Sequence, residues 1–92
     1  MYVYLACFDI EDDKKRRRLS RLLLGYGERV QYSVFEITLR DNKALTTLKK
    51  RCKKYVDDTD SLRFYWLPHN ARKKSFDIWG EPIATFPQAE IL

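Results

Sequence analysis

The chain has 92 residues, 18 of them Lys or Arg and 13 Asp or Glu, for a formal charge of +5. That length fits one domain with a modest core, which a second subunit would help to complete, and it excludes a two-domain enzyme. An apolar content of 45% is too high for a disordered polymer, 34% charged residues exclude an integral membrane protein, and the basic excess favours a polyanionic partner, nucleic acid first.

Cys7 and Cys52 stand far apart, and neither belongs to a CxxC or Cys/His cluster, so no zinc site or disulfide framework is expected. A reducing compartment fits best. The start MYVYLACFD lacks the basic region and long apolar stretch of a signal peptide, and no run approaches the roughly 18 apolar residues of a membrane span. A cytoplasmic location with no membrane partner is the expectation.

Residues 2–9, YVYLACFD, are rich in aromatic and β-branched side chains, too short for a convincing helix, and uncharged until Asp9, which predicts a largely buried strand. The acidic cluster Glu11, Asp12 and Asp13 then opens a basic stretch, the pattern of a helix whose N-cap is Asp12 or Asp13. Leu19, Leu22 and Leu23 give that helix an apolar stripe, and Gly25 or Gly27 stops it. Residues 28–39 alternate with period two, but the stretch is long for one strand, so a bulge or reversal at residues 31–33 is expected to divide it. Asp41 or Asn42 caps a second helix with the stripe Leu45, Leu48, Cys52, Tyr55 and Val56, and with Lys49, Lys50, Arg51, Lys53 and Lys54 on its other face.

A strand over residues 61–67 ends at Pro68, residues 69–75 (HNARKKS) read as a surface loop, and residues 76–79 read as a short strand. Gly80 and Pro82 break that strand and leave residues 83–92 as an apolar tail. No repeat or linker divides residues 1–92, so they form one domain. The order strand, helix, strand pair, helix, strand suits an α+β class, with a ferredoxin-like antiparallel sheet and two helices on one face. The aromatic-rich strands leave the other face in need of cover, which a second copy packed sheet to sheet would provide.

Asp9 is the most informative residue for chemistry, because a carboxylate that ends an apolar strand sits at the mouth of the sheet. Two roles fit it: the cap of the following helix, or a ligand for a divalent cation. One carboxylate makes a poor magnesium site, but one Asp9 from each subunit of a dimer, with waters and phosphate, would complete an octahedral oxygen shell. The run Lys14, Lys15, Arg16, Arg17, Arg18 with Arg21 is denser in cations than solvation requires, and guanidinium forks grip phosphate. Together with the lysine face of the second helix it forms either a nucleic-acid backbone surface or a solubilising one. Tyr2, Tyr4, Phe8, Phe35, Tyr65 and Trp66 lie at strand spacing and read as core or interface. His69 has no nucleophile near it in sequence and stays unassigned, and Cys7 and Cys52 read as small buried hydrophobes. No Gly-rich phosphate loop, HExxH or GxSxG occurs. The residues alone describe a basic, dimeric α+β domain that binds a nucleic-acid backbone, and they name no reaction.

FDI at residues 8–10, DDKKRRRL at 12–19, GERVQYSVFEITL at 27–39 and DSLRFYWL at 60–67 cover most of the chain, with RVQYSVFE the distinctive piece. Through these segments the sequence resembles the CRISPR-associated protein two family, the small subunit of the spacer-acquisition machinery. One departure is Phe8, where the family commonly has Tyr, so a hydroxyl is missing beside Asp9.

The resemblance implies a ferredoxin-like homodimer in which a strand from the C-terminal tail, residues 83–86, crosses to the sheet of the partner. It implies that Asp9 meets its mate across the twofold axis and holds a divalent metal, magnesium or another such as manganese, as the catalytic residue. Some members of the family are credited with metal-dependent cleavage of single-stranded RNA or double-stranded DNA. Others look like non-catalytic scaffolds that sit between dimers of the CRISPR integrase, protein one, while their basic surface tracks the spacer DNA. Positions matching Arg16, Arg18, Arg29, Ser33 and Phe35 lie near the site or the nucleic-acid path in the family; Arg17, Lys49, Lys50 and Lys53 join them from the basic faces. A toxin-type ribonuclease related to virulence-associated protein D, which is similar in fold, is the further alternative.

Overall fold

The computed structural model describes residues 1–85 and arranges them as β1 Tyr2–Asp9, α1 Asp13–Leu24, β2 Gly27–Gln31, β3 Val34–Leu39, α2 Asn42–Lys53, β4 Ser61–Trp66 and α3 His69–Lys73. The strands make one sheet in the order β2-β3-β1-β4, with every neighbouring pair antiparallel. Tyr4 lies opposite Ile37 on one side and Trp66 on the other. This is the ferredoxin-like α+β topology expected from the order of elements.

Period two sorts the side chains. Ala6 and Phe8 of β1, with Phe35, Ile37 and Leu39 of β3, share the face on which Leu19 and Leu23 of α1 and Leu48 and Cys52 of α2 are packed. Both helices therefore cover the same side. Each large apolar side chain buried there contributes about 1.5–3 kcal/mol. The helix starts use the aspartates: Asp12 Oδ2 accepts from Lys15 N at 2.8 Å and Asp41 Oδ1 accepts from Ala44 N at 2.8 Å, each satisfying one free N–H of a first turn. Gly25 closes α1. Gly27 is required by packing, because a Cβ there would overlap the Glu36 carbonyl of the neighbouring strand.

The long alternating stretch breaks at residues 32–33, where β2 ends and β3 begins, with a register shift between Arg29 and Gln31. On the face away from α1 and α2 lie Val3, Leu5, Cys7 and Asp9, beside Val34, Glu36 and Thr38 of β3 and Arg63 and Tyr65 of β4. Part of this face is lined by the chain itself: a cleft of about 450 Å³ runs between Glu28 and Glu36 on one side and Pro82, Ile83 and Ala84 on the other.

Two expectations near the C-terminus change. Residues 69–75 are not a loop; His69–Lys73 forms the short helix α3, started by Pro68 and tied down where Arg72 Nε donates to Leu67 O at 3.2 Å. A helix this short is below the length at which periodicity shows. Residues 76–79 do not form a strand. Asp77 Oδ1 accepts from Trp79 N and Glu81 N, and Gly80 takes φ +84°, so the chain reverses and only Phe76 and Pro82 bridge. Ile78 and Trp79 stand exposed on that turn. Of the crossing strand expected at residues 83–86, residues 83–85 are described and form no strand: Ala84 takes φ 54° and is buried, and the three residues line the cleft beside Glu28 and Glu36 of their own chain. Residues 86–92 lie outside the described residues. Among the described residues, no helix is long and apolar enough to cross a membrane.

Candidate functional site

Three segments converge at one end of the sheet: the turn after β1, the β2–β3 turn and the approach to β4. Each is fastened to the others. Phe8 N donates to Ser33 O at 3.0 Å, Asp9 pairs with Ser61 in the ladder, and Arg16 Nη1 donates to Ile10 O at 2.7 Å. Glu11 N donates to Asp60 Oδ1 at 3.2 Å. The backbone on both sides of Asp9 is thus held, while its side chain is exposed and makes no hydrogen bond or ion pair among the described residues. Asp9 is also not the helix cap, because Asp12 fills that role. The carboxylate is therefore free to meet a ligand from outside the chain.

Four of the other acids nearby are already committed, whereas the Glu11 and Asp58 carboxylates make no hydrogen bond or ion pair among the described residues. Asp12 caps α1, Asp13 pairs with Arg16, and Asp57 Oδ1 receives Lys15 Nζ at 2.6 Å. Asp60 Oδ2 accepts from Asp57 N at 2.9 Å. The backbone donors of Asp57 and Glu11 hold the Asp60 carboxyl below the usual carboxylate range, and the hydrogen bond to Asp57 raises Lys15. Among the described residues no group of three or more His, Cys, Asp or Glu side chains could hold a metal ion. One chain contributes one hard oxygen ligand at Asp9, which does not by itself make a magnesium site.

The cations divide by what they touch. Arg16 is turned inward: besides Ile10 O and Asp13 it reaches the Tyr32 hydroxyl, Nε to Oη 3.2 Å, so its donors serve the turn that carries Asp9. Arg16 thus acts as an internal clamp on this end of the sheet. Arg29 is exposed, donates from Nη2 to Ser20 Oγ at 2.9 Å, and lies over the rings of Tyr32 and Phe35 at 5.4 and 5.2 Å. Phe35 itself is fully buried, so it supports Arg29 from beneath and offers no surface to a ligand; its inward place follows from the strand period that puts it opposite Ala6. Ser33 contributes its backbone carbonyl to the Phe8 bond. Arg17, Arg18, Lys49, Lys50 and Lys53 are exposed with no ion pair among the described residues, on two different helices.

Tyr32 was not singled out by sequence reasoning, yet it joins Arg16 to Arg29. The signal for it was an aromatic residue between Gln31 and Ser33, at a polar turn with no core to enter. Cys52 is buried and its thiol is pushed up to about 11, and burial also raises Cys7, so neither is a ready nucleophile.

A family model described as CRISPR associated protein Cas2 matches residues 1–75. A Synechocystis protein named CRISPR-associated endoribonuclease Cas2 3 is 46% identical, over 100% of this chain and 99% of its own length. Among solved structures, a chain of a partial Cas6-RT-Cas1–Cas2 complex is 40% identical with a TM-score of 0.84, covering 94% of this chain and 100% of that one. Streptococcus pyogenes Cas2 is 30% identical with a TM-score of 0.72, covering 83% of this chain and 98% of that one.

Proposed function

The chain belongs to the CRISPR-associated Cas2 family, and from that premise we propose that it is a cytoplasmic adaptation protein that binds nucleic acid as a homodimer and cleaves phosphodiester bonds at Asp9. The observation that carries this reading is the exposed, uncommitted Asp9 carboxylate on a backbone fastened from both sides. A rigid scaffold holding an unpaired charge is what a catalytic ligand needs, because it orders nothing at the moment of binding. The endonuclease and endoribonuclease names of similar proteins support the same chemistry.

The lone carboxylate fits a divalent cation as half of a set, and in this reading the Asp9 of a second copy supplies the other half across a twofold axis. Magnesium or manganese bound there would supply a Lewis acid for the phosphate and a more acidic water. This chain's own residues do the rest. Arg29, with Arg17 and Arg18, holds the phosphate backbone, while the Arg16 clamp keeps the turn that carries Asp9 in place. The tail beyond residue 85 would cross to the partner's sheet, where β4 presents an open edge.

The scaffold reading has its own support, in the uncommitted cations on α1 and α2 and in the likeness to a chain of a Cas1–Cas2 complex. There the dimer bridges integrase subunits and its basic faces follow duplex DNA without cutting it. One variant separates the two. Asp9→Asn keeps size and removes charge; it should abolish cleavage of single-stranded RNA or duplex DNA in magnesium or manganese, while the sedimentation of the dimer and its DNA affinity stay as in the wild type. Undiminished cleavage by the purified variant overturns the nuclease reading. No cleavage by the wild type, with spacer acquisition supported by the variant, assigns the scaffold role.

A further inference from the structure

We propose that Tyr32 is a stacking platform for an unpaired nucleobase, so that the sheet end beside Asp9 takes single-stranded nucleic acid in preference to a duplex. This deepens the nucleic-acid reading given above and rests on it.

Tyr32 occupies the β2–β3 turn between Gln31 and Ser33 and is 67% exposed, whereas Phe35, three positions on, is fully buried. The turn geometry does not need an aromatic there, since the reversal is flanked by the Gln31–Val34 pair and tied to β1 where Phe8 N donates to Ser33 O. A large ring left in water at a polar turn has a surface to offer.

The ring is also held. Its hydroxyl accepts from Arg16 Nε at 3.2 Å, and Arg16 is itself anchored on Ile10 O at 2.7 Å. Stacking a base on a side chain already fixed in one place loses less rotamer freedom than stacking on a mobile one. The ring is fixed by its edge, and with two guanidinium groups over it most of its surface still faces water. The guanidinium carbons of Arg16 and Arg29 lie over the ring at 5.9 and 5.4 Å from its centroid, within cation–π reach but without burying it. The two cations make the surroundings attractive to a phosphodiester, and the exposed part of the ring is left for the base.

Arg29 supplies the matching phosphate contact. Its only hydrogen bond among the described residues is the one from Nη2 to Ser20 Oγ, so most of its donors remain available to a phosphate. An aromatic face with a guanidinium fork beside it is the pairing that single strands use, base on ring and phosphate on cation. In a duplex each base is already stacked between its neighbours, so the ring gains nothing from it unless the duplex opens. Selectivity for unpaired nucleotides follows.

The test measures binding of a labelled oligouridylate and of a DNA duplex of equal length, without divalent metal and at fixed salt, for wild type, Tyr32→Ala and Tyr32→Trp, with sedimentation of each. Tyr32→Ala should lose roughly 5- to 150-fold in affinity for the single strand and less than about twofold for the duplex, and Tyr32→Trp should keep the wild-type single-strand affinity. Equal losses on both probes would mean that Tyr32 acts through Arg16 and Arg29, and would overturn the stacking role. A changed sedimentation coefficient in Tyr32→Ala would give the ring to a subunit contact and overturn it too. Wild-type affinity for both probes in Tyr32→Ala removes the stacking role alone, whereas a wild type that binds neither probe removes the nucleic-acid reading with it.

Discussion

Helices α1 and α2 look like copies in sequence: each has 12 residues, an aspartate N-cap and a crowd of Lys and Arg, and both pack on the same sheet face. Their cations behave differently, those at the start of α1 being engaged and those along the second half of α2 being free of ion pairs among the described residues. In α1, Lys15 is bound to Asp57 and Arg16 to Ile10 O, Asp13 and Tyr32, so two of its cations are spent on fastening the sheet end. In α2, Lys49, Lys50 and Lys53 make no ion pair or hydrogen bond among the described residues, and Arg51 reaches only the Tyr26 hydroxyl at 3.3 Å. Composition is therefore a poor guide to which cation meets a ligand. What decides it is whether a helix begins beside a cluster of turns with free carbonyls, as α1 does.

The largest effect should show the two helices as equals. Leu19→Ala and Leu48→Ala each remove a fully buried side chain from the shared core and should each cost about 2–5 kcal/mol in urea unfolding. A loss at Leu48 below about 1 kcal/mol would mean that α2 is only loosely docked and that the comparison of equals fails.

The next effect should separate them. Arg16→Ala removes a charge-assisted bond to Ile10 O and the tie to Tyr32, and should cost about 1–2 kcal/mol, a figure reduced for partial exposure. Lys50→Ala should stay within about 0.5 kcal/mol of the wild type. Arg16→Lys should not restore the loss, because an ammonium cannot span two turns as a planar fork does. Full rescue by Lys would reduce the clamp to a simple charge effect.

The fold was legible because each element carries its own local signal. Asp12 and Asp41 announce helix starts, leucines at helical spacing face the core, and the alternation around residues 31–33 gave the hairpin. Asp9 was legible as the charged end of an apolar strand, and the acidic cluster after it already pointed to Asp12 or Asp13 as the helix cap, which is Asp12. Three features were not legible, each for a physical reason. Residues 69–73 are too few to show a period. At residues 76–79 alternation could not reveal that the Asp77 carboxylate would bind two backbone N–H groups and turn the chain. At Arg16 and Phe35, residue type shows what a side chain can bind but not that a carbonyl 2.7 Å away or a strand face has already claimed it.

A smaller effect returns the helices to parity. Asp12→Ala and Asp41→Ala each remove one cap and should each cost about 1 kcal/mol. A much larger loss at Asp12 would show that the cap also supports the turn that carries Asp9, because α1 starts where the site is built and α2 does not.

The smallest effect is in the pH dependence of the α1 end, through the Asp60 latch. Asp60 accepts from Glu11 N and Asp57 N, and these donors lower its pKa in the folded chain. A carboxyl that holds its proton less tightly when folded than when unfolded adds stability at pH values above its ordinary range near 4, and that contribution fades as pH falls through the folded value. Asn in its place keeps one acceptor oxygen and has no charge, so Asp60→Asn should melt below the wild type at pH 7, and the gap should narrow steadily from about pH 4 downwards. The latch joins the turn after Asp9 to the approach to β4, so the narrowing belongs to the α1 end, and Asp41→Asn at the α2 start should show no comparable dependence on Glu11 exchange. Hydrogen exchange at the Glu11 amide reads the same bond directly: it should be slow at pH 7 in the wild type and fast in Asp60→Asn. A gap in melting temperature that stayed constant from pH 7 to pH 3 would leave the second acceptor oxygen, and not the charge, as what Asp60 contributes.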